Sequence, residues 1–299
     1  APSASEDYKF TDLGNAERFV ATTRQSLRYC SQLNTWLVWD GVRWRPDDDG
    51  AVMRAAKATV RDLYRQAASV EDDEGRQRLT KWATASESAQ RQRSMVDLAK
   101  NEADAIVNVQ KLDADPDLLG VRNGVIDLAT GTLIDPDPDC FITKQAAVDF
   151  DPRAKCPIWR AFLTRIMDDD MEMVGYLQRA LGYVLGGNTS EKVLFFMFGP
   201  GGNNGKSTLI ETVGALMGDY ARKTPAETFM SSKRSGGSAS PERIALRGAR
   251  LVIASELSDS QRFDEAFIKD VTGGVDKIAG RDLYKGMVEF KPEFKLWLY

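Results

Sequence analysis

The densest chemistry in this 299-residue chain lies in Gly199-Pro200-Gly201-Gly202-Asn203-Asn204-Gly205-Lys206-Ser207-Thr208. Glycines let a backbone curl until its N–H groups converge on an anion, and a helix N-terminus adds partial positive charge behind them. A lysine closing such a loop reaches the β- and γ-phosphates of a nucleotide, and the hydroxyl after it ligates Mg²⁺. The candidate ATP-binding residues are Gly199, Gly201, Gly202, Asn203, Asn204, Gly205, Lys206, Ser207 and Thr208, with Lys206 also catalytic and Ser207 also a metal ligand. One residue more than the usual spacing separates Gly199 from Gly205, which predicts a bulge, and Pro200 stands where the stricter pattern has glycine. The plainer alternative is a glycine-rich surface turn.

The flanks favour the phosphate site. Val193-Leu194-Phe195-Phe196-Met197-Phe198 is a short apolar run that fits a buried strand, and Leu209, Ile210, Val213 and Leu216 fall on one side of a helix after the loop. Strand, glycine loop and helix, in that order, give the loop its phosphate-binding context. A triphosphatase also needs an acidic element on a neighbouring strand, and Arg250-Leu251-Val252-Ile253-Ala254-Ser255-Glu256 supplies one. Glu256 is the candidate catalytic acid and Mg²⁺-side ligand, at the C-terminal end of a strand, where ligands bind in α/β sheets. Asp259 is a possible helper, and a generic buried strand followed by an exposed glutamate is the plainer alternative.

Composition narrows the chemistry. The chain has no histidine, which removes Ser-His and Cys-His nucleophiles, His-ligated zinc and His proton shuttles. Cys30, Cys140 and Cys156 are scattered and read as reduced thiols. Carboxylates, lysine, arginine and a bound metal remain, which suits phosphoryl transfer. The formal net charge of −4 confines any nucleic-acid contact to a local groove or channel. No apolar run is long enough to span a bilayer and the N-terminus is polar, so the default expectation is a soluble, cytoplasmic protein without a membrane partner.

These groups must be positioned by a chain that changes texture several times. Residues 1–112 read as a mainly helical domain with a β-hairpin. Asp12 is the expected N-cap of a helix carrying Ala16, Phe19 and Val20, and Asp40-Gly41 predicts a two-residue hairpin turn. Trp36, Trp39 and Trp44 around it suit a base-stacking platform or, more commonly, the packed face of the hairpin. Helices follow to about residue 107, broken at Glu71-Asp72-Asp73-Glu74-Gly75. Asp-Pro pairs punctuate a β-rich connector over 113–155, a helical collar covers 156–188, and the nucleotide-binding domain runs over 189–299.

Beyond Glu256, the segment Lys269-Asp270-Val271-Thr272-Gly273-Gly274 is followed by Lys277, Arg281, Lys285 and an apolar final run, Lys295-Leu296-Trp297-Leu298. With the Gly-Lys-Ser loop and the strand ending Ser255-Glu256, this order resembles the superfamily 3 helicases, nearest to the phage and plasmid primase-helicase family with its poxvirus-type members. Thr11-Asp12-Leu13-Gly14-Asn15-Ala16, the Trp-Asp-Gly hairpin and Arg122-Asn123-Gly124-Val125-Ile126-Asp127-Leu128 extend the resemblance over nearly the whole chain.

The resemblance implies an α/β AAA+ P-loop ATPase domain, with a mostly parallel sheet flanked by helices, behind a mainly helical N-terminal domain. It implies a ring-forming motor, commonly a hexamer, that uses ATP and Mg²⁺ to translocate 3′ to 5′ on single-stranded or forked DNA in phage, plasmid or prophage replication. A primase domain or protein is an implied partner. Lys277, Arg281 and Lys285 fall where the family carries a DNA-gripping channel hairpin; a solvated strand face is the plainer use of such cations. Val275 precedes Asp276 where the family has the acid directly, and Tyr299 falls where the last strand would deliver a polar sensor, so an incomplete C-terminus is expected. An ATP-gated DNA-loading module without processive unwinding and a small-molecule P-loop kinase are the rival functions.

Overall fold

The computed structural model describes residues 8–199, 202–231, 241–255, 262–273, 277–281 and 287–299. They fall into two units, the first comprising the chain up to Leu112 with Asp137–Thr143, the second Asp113–Pro136 with Lys144–Tyr299. The first begins with α1 (Asp12–Thr23), whose cap is Thr11: its hydroxyl accepts the Gly14 N–H at 3.1 Å. Asp12, the expected cap, is instead the first helical residue, where an acid faces the positive end of the helix dipole, and it pairs with Arg91 at 3.2 Å. Ala16, Phe19 and Val20 are buried, as their spacing predicts.

Strands β1 (Leu27–Cys30), β2 (Thr35–Trp39) and β3 (Trp44–Pro46) form an antiparallel sheet in sequence order. Trp39 pairs with Trp44, so the β2–β3 loop is Asp40–Arg43, longer than the two-residue turn that Asp40-Gly41 suggests. Asp40 explains the difference: its Oδ1 accepts the N–H groups of both Val42 and Arg43 at 2.9 Å, closing the wider loop. The tryptophans form packing surfaces. Trp36 is buried with its ring edge-on to Phe19, and Trp44 is fully buried against Trp39 and Phe141, its indole N–H donating to the Pro138 carbonyl at 2.8 Å. Helices α2 (Ala51–Ser69), α3 (Asp73–Ser86) and α4 (Ala89–Ala99) complete the unit. The acidic break is the α3 cap, where Asp72 accepts the Gly75 N–H at 2.6 Å.

In the second unit, β4 (Leu118–Val121), β5 (Gly124–Asp127) and β6 (Thr132–Ile134) form an antiparallel meander. The stretch 113–155 is thus divided: its strands belong here, whereas 137–143 belongs to the first unit. Helices α5 (Pro157–Ile166) and α6 (Met171–Leu185) follow, then β7 (Phe195–Phe196), α7 (Lys206–Met217), β8 (Ala221–Pro225), α8 (Pro241–Ile244), β9 (Leu251–Ser255), α9 (Glu265–Gly273), the antiparallel hairpin β10 (Ile278–Arg281) and β11 (Met287–Phe290), and β12 (Lys295–Leu298). The main sheet is parallel in the order β7-β12-β9-β8.

Alternation along its central strands fills two cores. Leu251, Ile253 and Trp297 pack with α5, α6 and α7, while Val252, Ala254, Leu296 and Leu298 join the core that holds Phe267 of α9 and Ile278 of β10. A sheet covered on both faces reads as a continuous apolar run, as 251–254 does. The run 193–198 behaves differently. Only Phe195–Phe196 pairs, at the sheet edge, and Phe196 and Phe198 are 55% and 85% exposed, because β7 has one neighbouring strand. On α7, Leu216 faces out and Met217 is buried, since the packed face repeats at Leu209, Val213 and Met217. Among the described residues, no helix is long and apolar enough to cross a membrane.

Candidate phosphate-binding site

Phe196, Leu298 and Ala254 lie in one row across β7, β12 and β9. All three strands run the same way, so the turn after β7 and the end of β9 emerge at one edge of the sheet, where parallel α/β sheets bind ligands. With β12 between them, β7 and β9 stand about 10 Å apart, two strand spacings. The sheet therefore brings to one edge the start of the glycine loop and Ser255, the last residue of β9. Glu256, the candidate acid, and Asp259 follow within 256–261, outside the described residues, as are Pro200 and Gly201.

Gly199 and residues 202–208 are described, and they turn the chain from β7 into α7. Asn203 has φ +68° and Gly205, the residue before the helix, φ +84°. Gly205 has two reasons to be glycine. Its φ is left-handed, and a Cβ there would stand 2.7 Å from Ile166 Cγ2 and 3.4 Å from the Phe162 ring of α5. Helix α5 thus packs directly on the loop. Lys206, Ser207 and Thr208 form the first turn of α7, whose leading N–H groups have no intrahelical partner and stay available to an anion. The Lys206 ammonium is half-buried and donates to Asn204 Oδ1 at 2.9 Å; the Ser207 and Thr208 side chains are exposed.

Ser207 is the one proposed magnesium ligand that the structure describes. Among the described residues, no group of three or more acidic or cysteine side chains is placed to hold a metal ion. The donor set for Mg²⁺ is therefore a hydroxyl at a helix start plus groups from the ligand and from Glu256 (a hard, oxygen-only set that suits this ion). Of the proposed DNA-binding cations, Lys277 is exposed directly before β10 and Arg281 closes that strand opposite Met287. Lys285 lies in 282–286, outside the described residues. In the Thr-Gly-Gly segment, Lys269 is exposed on α9, and the Thr272 hydroxyl donates to the Ile268 carbonyl at 2.8 Å, an intrahelical contact.

Sequence reasoning missed three buried polar side chains behind the same sheet. Arg250 donates to the carbonyls of Leu185 and Leu118 at 2.5 and 2.6 Å, and its guanidinium lies 4.7 Å over the Tyr220 ring. Lys295 donates to the Gly186 carbonyl at 2.5 Å and stacks over Tyr183. Tyr220 takes the Gly120 N–H and gives its own proton to the Lys144 carbonyl. Leu185 ends α6 and Gly186 follows it, so Arg250 and Lys295 cap the negative end of that helix from the N-terminal ends of β9 and β12. Burial, then the Arg250 charge, pulls the Lys295 pKa down to about 7, and burial pushes Tyr220 up.

Fold and edge together define an α/β protein whose parallel sheet presents a glycine-rich turn and a helix start beside a helical N-terminal region. The family described as D5 N terminal like matches residues 16–168, and the chain belongs to that family. A provisionally named helicase of Acanthamoeba polyphaga mimivirus is 34% identical over 195 residues, covering 64% of this chain and 20% of that one. One of Invertebrate iridescent virus 6 is 27% identical over 195 residues, 62% of this chain and 20% of the relative. One of Frog virus 3 (isolate Goorha) is 34% identical over 140 residues, 46% and 14% respectively. The chain spans about a fifth or less of the length of these relatives, and its kinship is with D5-like primase-helicases of large DNA viruses.

Proposed function

We propose that residues 189–299 bind ATP and Mg²⁺ as part of a superfamily 3 AAA+ motor, and that the protein to which they belong is a ring-forming, 3′ to 5′ DNA helicase of viral or mobile-element replication. The observation that carries this reading is the helix start at Lys206, reached from a parallel strand through a turn that admits no side chain at Gly205. In that role the first-turn N–H groups of α7 and the Lys206 ammonium hold the β- and γ-phosphates, Ser207 ligates the metal, and Glu256 orients the attacking water. ATP supplies the transferable phosphoryl group, and Mg²⁺ neutralises the charge that builds on it. A glycine-rich surface turn would not need to end in a helix start beside the β9 edge. The helicase names of the viral relatives support the DNA-unwinding part of the reading.

The test is ATP binding and hydrolysis by this chain, and by a form extended towards its relatives' length, each with and without single-stranded DNA. Lys206→Ala is expected to lower ATP affinity on the order of 100-fold, the loss of a charge-assisted phosphate contact. Turnover retained in that variant would refute the site. DNA-independent turnover would favour the loading module, and phosphate transfer to a small acceptor would favour a kinase.

A further inference from the structure

Lys206 is held by one side chain, and that side chain has an unused end. The Lys206 ammonium has only donors, so the Asn204 atom 2.9 Å from it is the amide oxygen, and the opposite end of the amide is Nδ2. Nδ2 reaches the first glycine of the loop: a Cβ built on Gly199 would sit 2.4 Å from it and 3.6 Å from Lys206 Nζ. The Asn204 side chain therefore spans the loop from its last turn to its first residue. Gly199 has no left-handed φ to require glycine; what it lacks, and must lack, is the carbon that would collide with Asn204. Among the described residues, Nδ2 has no hydrogen-bond partner.

We infer that Asn204 is itself a phosphate-binding residue: Oδ1 aims the Lys206 ammonium, and Nδ2 donates to an oxygen of a nucleoside di- or triphosphate seated in the loop. The inference rests on reading residues 199–208 as a nucleotide site and adds a residue to it. A flexible lysine stem loses rotamer freedom when it binds; a neutral acceptor at 2.9 Å removes part of that freedom beforehand and leaves the remaining ammonium protons for the ligand. The amide protons then lie beside them, directed into the same concavity.

Asn204→Asp separates this role from mere support of Lys206. It is isosteric, keeps an oxygen for the ammonium and strengthens that contact with charge, but replaces the donor by an acceptor that repels phosphate. Binding of a fluorescent ATP analogue with Mg²⁺ to the intact chain is the readout, with thermal melting as the folding control. Asn204→Ala is expected to weaken binding about tenfold and Asn204→Asp about 100-fold. If Asn204→Asp binds as well as Asn204→Ala or better, or if both match the wild type, Nδ2 does not face phosphate and the inference falls. Should Asn204→Asp fail to fold, Asn204→Leu keeps the volume without either polar atom. It must weaken binding as much as Asn204→Ala; wild-type affinity there overturns the inference. A wild-type chain that binds no analogue refutes the nucleotide site itself, a different outcome.

Discussion

Lys295 shows how a single residue can carry information that its type conceals. In sequence, Arg250 and Lys295 flank apolar runs and read as charged strand ends in water. In the fold both are almost fully buried, at 2% and 1% exposure, because the carbonyls that end α6 need donors. No local pattern announces this: the partners of Arg250 lie 65 and 132 residues away. The consequence is testable through pH. Burial and Arg250 lower the Lys295 pKa to about 7, against 10.5 in the unfolded chain, with Glu293 opposing. Between those values the unfolded chain holds a proton that the folded chain has released, so stability rises with pH, by at most about 1.4 kcal/mol per pH unit from this group. Below about pH 7 both states carry the proton and the contribution is flat at its lowest. Urea unfolding at pH 7, 8 and 9 should show this rise in the wild type and a smaller one in Lys295→Met. Equal slopes in both would mean that the Gly186 carbonyl and the Tyr183 ring hold the ammonium charged throughout.

At the scale of elements, the strand-turn-helix around Lys206 is legible because its signals are local. Glycines, a lysine and a helical repeat lie within a few turns of one another, and α7 begins at Lys206. What the sequence hides is which face of each element meets a partner. The run 193–198 is as apolar as 251–254, yet one becomes a short edge strand and the other a covered central strand, since sheet order is set by pairings distant in sequence. The packing of α5 on the loop is hidden in the same way, and it makes Gly205 the most constrained residue of the turn. Alanine at 205 meets a left-handed φ, costing about 1–2 kcal/mol, and a Cβ that stands 2.7 Å from Ile166 Cγ2. Gly205→Ala should therefore lower the melting temperature and weaken nucleotide binding together, because the loop must move off α5 to relieve the contact. Pairing it with Ile166→Ala should recover part of the stability. If the double variant is no more stable than the additive sum, the overlap with Ile166 is not the cause.

The whole molecule is two cores threaded by one chain that changes unit more than once. The helical character of the first unit and the α/β character of the second follow from hydrophobic period and punctuation. The assignment of Asp137–Thr143 to the first unit does not, because its partner, Trp44, is 94 residues away in the tryptophan–Pro138 hydrogen bond. In sequence those residues are the tail of an Asp-Pro-rich connector. In the fold they supply the Ile142 carbonyl that accepts the Trp44 N–H at 2.7 Å, the Pro138 carbonyl that accepts its indole N–H, and the Phe141 ring stacked against it. Without them a fully buried tryptophan is left with an open face and unsatisfied donors. A fragment ending at Leu112 should accordingly be less stable than the same fragment carrying 137–143 on a flexible glycine-serine linker. Two hydrogen bonds and part of an aromatic burial amount to about 3 kcal/mol. Urea unfolding followed by tryptophan fluorescence measures the difference and reports on Trp44 itself. The linked fragment should also show the more buried, blue-shifted emission. Coincident unfolding curves would mean that the first unit closes over Trp44 on its own and that 137–143 is a passenger.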